Sequence, residues 1–161
     1  MRRDGWVTMM LEGRDGWPPG PWDDEPDRVD FWESGFSCRL VRGGFGAWCG
    51  YISVPRKHPW HGLNLRALER LEDMDRLDVH GGVTYAAADG EFWCIGFDGG
   101  HAFDLAPGLL ALGLKPFMAE AGYRDVAYMQ AETIGLARQA KEAARLAEAQ
   151  APWAPWVPWA P

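Results

Sequence analysis

The chain has 161 residues, 47% of them hydrophobic, with ten tryptophans, 20 glycines, 12 prolines and a formal net charge of −7. That length suits a single modest core with appended segments, and the negative charge disfavours non-specific binding to nucleic acid or anionic membranes. Three cysteines, Cys38, Cys49 and Cys94, without CxxC spacing argue against a disulfide framework or a zinc ribbon.

Residues 1–35 carry four arginines against nine acids and hold Trp6, Trp17, Trp22 and Trp32 among Pro18, Pro19, Pro21 and Pro26. Residues 7–11 read as a short edge strand and the remainder as turn and extended chain. Two readings fit this acidic arm. Its indole rings pin it to the domain, or they form an acidic aromatic surface that grips a partner, such as a host protein.

From Phe36 the pattern alternates. Residues 36–41 and 45–54 read as two strands joined at Gly43-Gly44 by a tight type I′ hairpin, and Pro55 ends the second strand. Residues 55–62 form a loop carrying His58 and His61, expected to cover the binding pocket. Leu63, Leu68 and Leu71 predict a helix over residues 64–74 with Asn64 as N-cap. Residues 77–80 read as a strand, broken at Gly81-Gly82 and resuming at 83–86. Asp89-Gly90 is a hairpin signal, followed by the apolar central strand 92–97.

Residues 105–122 read as irregular or short helix. Residues 123–149 predict a long helix, with Val126, Met129, Thr133, Leu136, Ala140 and Ala143 on one face and a second half that buries little. The tail 150–161 repeats every three residues, which in polyproline II would line up Trp153, Trp156 and Trp159. The expected fold is α+β: a small antiparallel sheet from hairpins 36–54 and 78–97 with the long helix against it, preceded by an arm (1–35) and followed by a Pro-Trp tail. No apolar run approaches the ~18 residues of a membrane span, and no signal peptide is apparent, so the expected setting is the cytoplasm of a host cell.

All four histidines and both site-like Gly-Gly pairs lie in residues 48–104. Asp98-x-x-His101-x-x-Asp104 begins where the apolar strand ends. Carboxylates with imidazoles suit divalent metals. A hairpin centred on Asp89-Gly90 places Asp98 opposite about residue 81, so His80 and Asp98 are expected at one sheet edge. Three roles follow. A metal-dependent hydrolase would use His80, Asp98, His101 and Asp104 as ligands, with His80, Asp98 and His101 the catalytic candidates. A ligand site would use His80, Gly81, Gly82, Thr84, Asp98, Gly99, Gly100 and His101. Trp93, Trp48, Trp60 or Tyr85 would then stack a ring, and the glycine N–H groups would cradle an anionic group. In the third, the residues only shape turns.

Trp48-Cys-Gly-Tyr-Ile-Ser-Val-Pro with His58-Pro, Asp78-Val-His80-Gly-Gly-Val-Thr-Tyr85, Trp93…Gly96-Phe-Asp98-x-x-His101-x-x-Asp104, and Tyr123-Arg…Tyr128…Glu132 carry a resemblance. Over residues 45–140 the chain resembles a family of uncharacterised small proteins of bacteriophages, prophages and plasmids. It departs from that family's usual residues at Gly99-Gly100 and Phe103. The resemblance implies an accessory, counter-defence protein, of a kind that blocks a host defence component or captures its signalling nucleotide. The leading expectation is therefore a protein binding a small, nucleotide-like ligand at the His80/Asp98/His101 edge. The alternatives are the metal-dependent hydrolase and a protein–protein inhibitor acting through the acidic arm and the Pro-Trp tail.

Overall fold

The computed structural model describes residues 14–115 and 121–150. The expected strand at 7–11 and the Pro-Trp tail lie outside the described residues.

The fold is α+β. Strands β1 (Arg28–Glu33), β2 (Phe36–Arg42), β3 (Trp48–Val54), β4 (Tyr85–Asp89) and β5 (Phe92–Asp98) form one antiparallel sheet in the order β1-β2-β3-β5-β4. Alternation decides the faces. Cys38, Leu40, Trp48, Ile52, Val54, Ile95 and Phe97 point inward and are fully buried, while Arg39, Tyr51, Cys94 and Asp98 point outward. The inner face is covered by helix α3 (Val126–Gln150) through Met129, Thr133, Leu136, Ala137 and Ala140, and by Leu68 of helix α1 (Leu65–Asp73). The closest approach of α3 is at Gly50, where a β-carbon would lie 2.4 Å from Thr133 Oγ1 and 2.6 Å from Phe97. Beyond residue 144 every residue of α3 is exposed, as its alanine-rich second half predicts.

Asn64 caps α1, accepting from the Ala67 amide at 3.0 Å, as expected. Β-strand pairing across Asp89 and Phe92 confirms the β4–β5 hairpin, with positive φ at Gly90. Three expectations need correction. The β2–β3 connection is a five-residue loop rather than a Gly-Gly turn: Gly43 is extended, and the left-handed residues are Phe45 and Gly46 in a short 3-10 turn. Residues 77–80 are not a strand, because Leu77 and Val79 turn into the core as isolated anchors and His80 begins a turn. Arg28–Glu33, placed in the arm, is one of the two edge strands of the sheet.

The arm's described part is built into the domain. Trp22 is buried, donating its indole N–H to the Pro18 carbonyl at 2.9 Å and packing edge-on against Tyr123. Glu25 is the fastening point. It accepts from Arg42 at 2.5 Å, from the Trp48 indole at 3.1 Å, from the Tyr123 hydroxyl, and from the Val126 amide at 2.8 Å. The last contact sets a carboxylate against the positive end of α3. Trp32, in contrast, projects from β1 into solvent.

Two short strands, β6 (Asp104–Leu105) and β7 (Gly122–Tyr123), pair in parallel. Helix α2 (Pro107–Ala111) follows β6. This pairing brings Arg124 beside Asp104, next to the start of α3. Among the described residues no helix is long and apolar enough to cross a membrane.

Candidate functional site

Two loops leave the same end of the sheet, residues 80–84 before β4 and residues 99–103 after β5. The first contains consecutive left-handed glycines, Gly81 at φ +67° and Gly82 at φ +82°. A β-carbon on Gly81 would lie 2.1 Å from His101 Cε1, so the bare backbone is what allows the His101 ring to seat on this loop.

The loops create two adjacent but distinct groups. In the first, Asp98 is fixed by the Gly100 N–H on Oδ1 and the Thr84 hydroxyl on Oδ2, both at 2.9 Å. Beside it lies an open cleft of about 350 Å³, lined by Cys49, Tyr51, Thr84, Tyr85 and Gly100 and by Gly43-Gly44. Tyr51 and Tyr85 meet edge to face at 5.4 Å above Gly96, which has no side chain to separate them. Burial raises the Tyr85 phenol to about 12 and raises Tyr51 as well, so both remain neutral. Among the described residues the cleft lining contains no lysine or arginine.

In the second group His80, His101 and Asp104 converge. Their donor atoms lie within 4.8 Å of one another. Asp104 Oδ2 is 2.8 Å from His80 Nε2, 3.2 Å from His101 Nδ1 and 3.1 Å from the His101 amide. Its Oδ1 accepts from Arg124 Nε at 2.7 Å. Burial works to raise the Asp104 pKa, but the hydrogen bonds from His80, Arg124 and the His101 amide outweigh it and hold the carboxyl below its ordinary value. Tyr128 reaches His80 Nδ1 at 3.0 Å.

Several expected site residues fall elsewhere. Asp98 does not meet His80. The register sets Tyr85 opposite Gly96, which would place Val83 rather than residue 81 across from Asp98, and the chain has left the ladder by then. Asp98 is accordingly outside the metal-ligand set. Trp93 pairs with Val54 at the far end of β5, about 16 Å of strand away from Asp98, and donates to the Leu63 carbonyl at 2.9 Å. Trp48 and Trp60 are buried in the core, so of the four proposed ring-stackers only Tyr85 lines the cleft.

The loop 55–62 does not cover the cleft. It packs at the other end of β3, where His58 bonds the Ala140 carbonyl through Nε2 at 2.8 Å and the Trp60 amide through Nδ1 at 3.0 Å. Most amides of the glycine loops are already engaged within the protein. The His80 and Val83 amides are taken by Glu132 and Glu72 carboxylates, at 2.8 and 2.7 Å, and Gly82 N–H by the Val79 carbonyl. The Gly99, Gly100 and His101 amides bond Trp48 O, Asp98 and Asp104. These loops bind carboxylates, but the protein's own.

The three cysteines are free thiols. Burial pushes Cys38 and Cys49 up to about 11 and Cys94 to about 12. Sequence reasoning did not assign a site role to Tyr51, Glu72, Arg124, Tyr128 or Glu132. Tyr128 and Glu132 stand four apart at the start of the long helix, on one face and one turn apart, and that spacing was the available signal. Tyr51 shares a strand face with Cys49, which pairs with Asp98. Glu72 gave no signal. Compared with known proteins, the chain matches no family model, no curated protein and no solved structure.

Proposed function

We propose that this protein is a phage-type accessory protein, acting in counter-defence, that binds the nucleoside part of a small nucleotide-like ligand in the Asp98 cleft. The cleft itself carries the reading. Its volume of about 350 Å³ falls in the range of small-ligand sites, and it combines two tyrosine rings with one fixed carboxylate. Each Asp98 oxygen has one partner and keeps a second lone pair, so the carboxylate can accept from the N–H edge of a base. The Tyr51 and Tyr85 rings supply apolar contact to a flat ring.

The chemistry also sets a limit. Among the described residues the lining holds no lysine or arginine, and most of the loop amides are engaged, so the cleft itself offers little to a phosphate. Nucleosides are therefore bound at least as well as their phosphates. The setting in phages and plasmids comes from the sequence resemblance, and capture of a host signalling nucleotide is the role consistent with it.

A panel of nucleosides and nucleotides tested by thermal shift examines this reading, since a ligand that binds only the folded state raises its melting temperature. At least one nucleoside should raise the melting temperature of the full chain and fail to do so for Asp98→Ala. No shift across the panel would reject the proposal, as would a shift that Asp98→Ala retains.

A further inference from the structure

We propose that His80, His101 and Asp104 form a binding site for one divalent first-row transition-metal ion. The inference begins with the crowding at Asp104 Oδ2. Three nitrogen donors, His80 Nε2, His101 Nδ1 and the His101 amide, converge on this one oxygen at 2.8, 3.2 and 3.1 Å. A carboxylate oxygen offers two lone pairs. Its partner Oδ1 is occupied by Arg124. One cation placed where the two imidazoles meet the carboxylate would replace two competing N–H donors with a single centre.

The spacing fits that exchange. Metal–nitrogen and metal–oxygen bonds of about 2.0–2.2 Å place neighbouring ligand atoms about 3 Å apart in octahedral and about 3.4 Å apart in tetrahedral coordination. The two imidazole-to-carboxylate separations, 2.8 and 3.2 Å, match the octahedral value and lie a few tenths of an ångström inside the tetrahedral one, a gap that small side-chain shifts would close. Two imidazoles and a carboxylate suit iron(II), cobalt(II) or zinc rather than magnesium or calcium, which favour all-oxygen sites. The Asp104 side chain is 1% exposed, and that burial strengthens its attraction for a cation.

The surroundings have the form of a supported site. A metal-bound histidine commonly bonds a polar partner through its other ring nitrogen, and Tyr128 occupies that place on His80 Nδ1. His101 Nε2 is buried and has no hydrogen-bond partner, so the ring is not held in place by a bond at its far nitrogen. Its position is set by Gly81 on one side and Asp104 on the other. Glu132 and Glu72 hold the loop backbone on either side of Gly81-Gly82, fixing His80 before any ion arrives.

Three protein ligands leave a coordination position for solvent, which is the requirement a hydrolytic role of this edge would impose. The site does not depend on the nucleoside cleft. Asp98 contributes to the cleft and not to the ligand set, so the two proposals fail separately.

The test is titration of the chelator-stripped full chain with cobalt(II), followed by visible absorption, and with zinc, followed by calorimetry. The expected result is one ion per chain and a higher melting temperature with metal. His80→Gln and His101→Gln should each weaken binding roughly tenfold or more, Tyr128→Phe should weaken it by about tenfold, and His61→Gln, beside Trp93 at the other end of β5, should leave it unchanged. Circular dichroism and apo melting temperatures establish that each variant is folded. Absence of binding to the folded wild type would overturn the proposal. So would binding that survives both histidine substitutions.

Discussion

Gly81 and Gly62 share a left-handed backbone, at φ +67° and +82°, but differ in what surrounds them. Nothing lies within 4 Å of a β-carbon at Gly62, whereas at Gly81 it would run into the His101 ring. Gly62→Ala should therefore carry only the conformational cost, about 1–2 kcal/mol, while Gly81→Ala should lose roughly 1–3 kcal/mol more from the clash. Denaturant unfolding of the two variants makes the comparison, and equal losses would show that His101 does not seat on the loop. At this scale the sequence indicated which residues gather at one end of the sheet. His80, His101, Asp104, Thr84 and Asp98 all lie at the expected sheet end. Their grouping was hidden because it depends on a two-residue register and on Arg124 and Tyr128, which arrive from the far side of the chain. Trp93 was misplaced for a related reason: a strand of seven residues has two ends, and proximity in sequence to Asp98 does not specify which.

Elements follow the alternation and capping signals closely. Helix α1 begins after Asn64, β3 ends before Pro55, and the face of α3 that is buried is the one its spacing marked. The β2–β3 loop was less readable, since a Gly-Gly pair signals a turn without specifying which residues take positive φ. The contact of α3 with the sheet makes a sharp prediction. Gly50→Ala puts a methyl group against Thr133 and Phe97, and should destabilise the protein by about 1–3 kcal/mol through overpacking. An unchanged unfolding midpoint would mean that α3 does not approach there. His58 ties the loop after β3 to the same helix. Burial lowers its pKa below the ordinary 6.5, despite the bond to the Ala140 carbonyl. The unfolded chain then takes up the proton first, so this stabilisation is complete above pH 6.5 and is lost as pH falls towards and through the folded-state value. The melting temperature should fall more between about pH 7.5 and pH 5.5 in the wild type than in His58→Gln. Parallel curves would contradict that assignment.

At the scale of the whole molecule, Glu25 links the first described segment to the sheet and to the start of α3. Arg42 and Glu25 are a nearly buried pair, with side chains 5% and 10% exposed. Arg42 also stacks over Trp48, and Glu25 meets the start of α3. Glu25→Ala leaves a guanidinium buried without its main partner and should cost about 3–5 kcal/mol. Truncation through residue 27 should do at least as much damage, and a truncated chain of wild-type stability would contradict this account of the arm. The acidic composition of the arm suggested an appendage; nothing in it distinguished Glu25 from Asp23 and Asp24. Burial tends to raise the Glu25 pKa, but hydrogen bonds from Tyr123, the Val126 amide, Trp48 and Arg42 hold it below the ordinary 4.5. Its contribution is present above that value and is lost as pH falls through the folded-state pKa. The cleft is set by the same framework, because β3 positions Tyr51 and the loop before it while the β4–β5 hairpin positions Tyr85 and Asp98. The most direct measurement of the proposed function is an equilibrium titration of the full chain with the nucleoside that gives the largest thermal shift, repeated with Asp98→Asn and Thr84→Ala. One site per chain, with affinity reduced at least about tenfold in Asp98→Asn, is the predicted result, consistent with the loss of a charged hydrogen bond. Undiminished binding in both variants, or no saturable binding to the wild type, would contradict it.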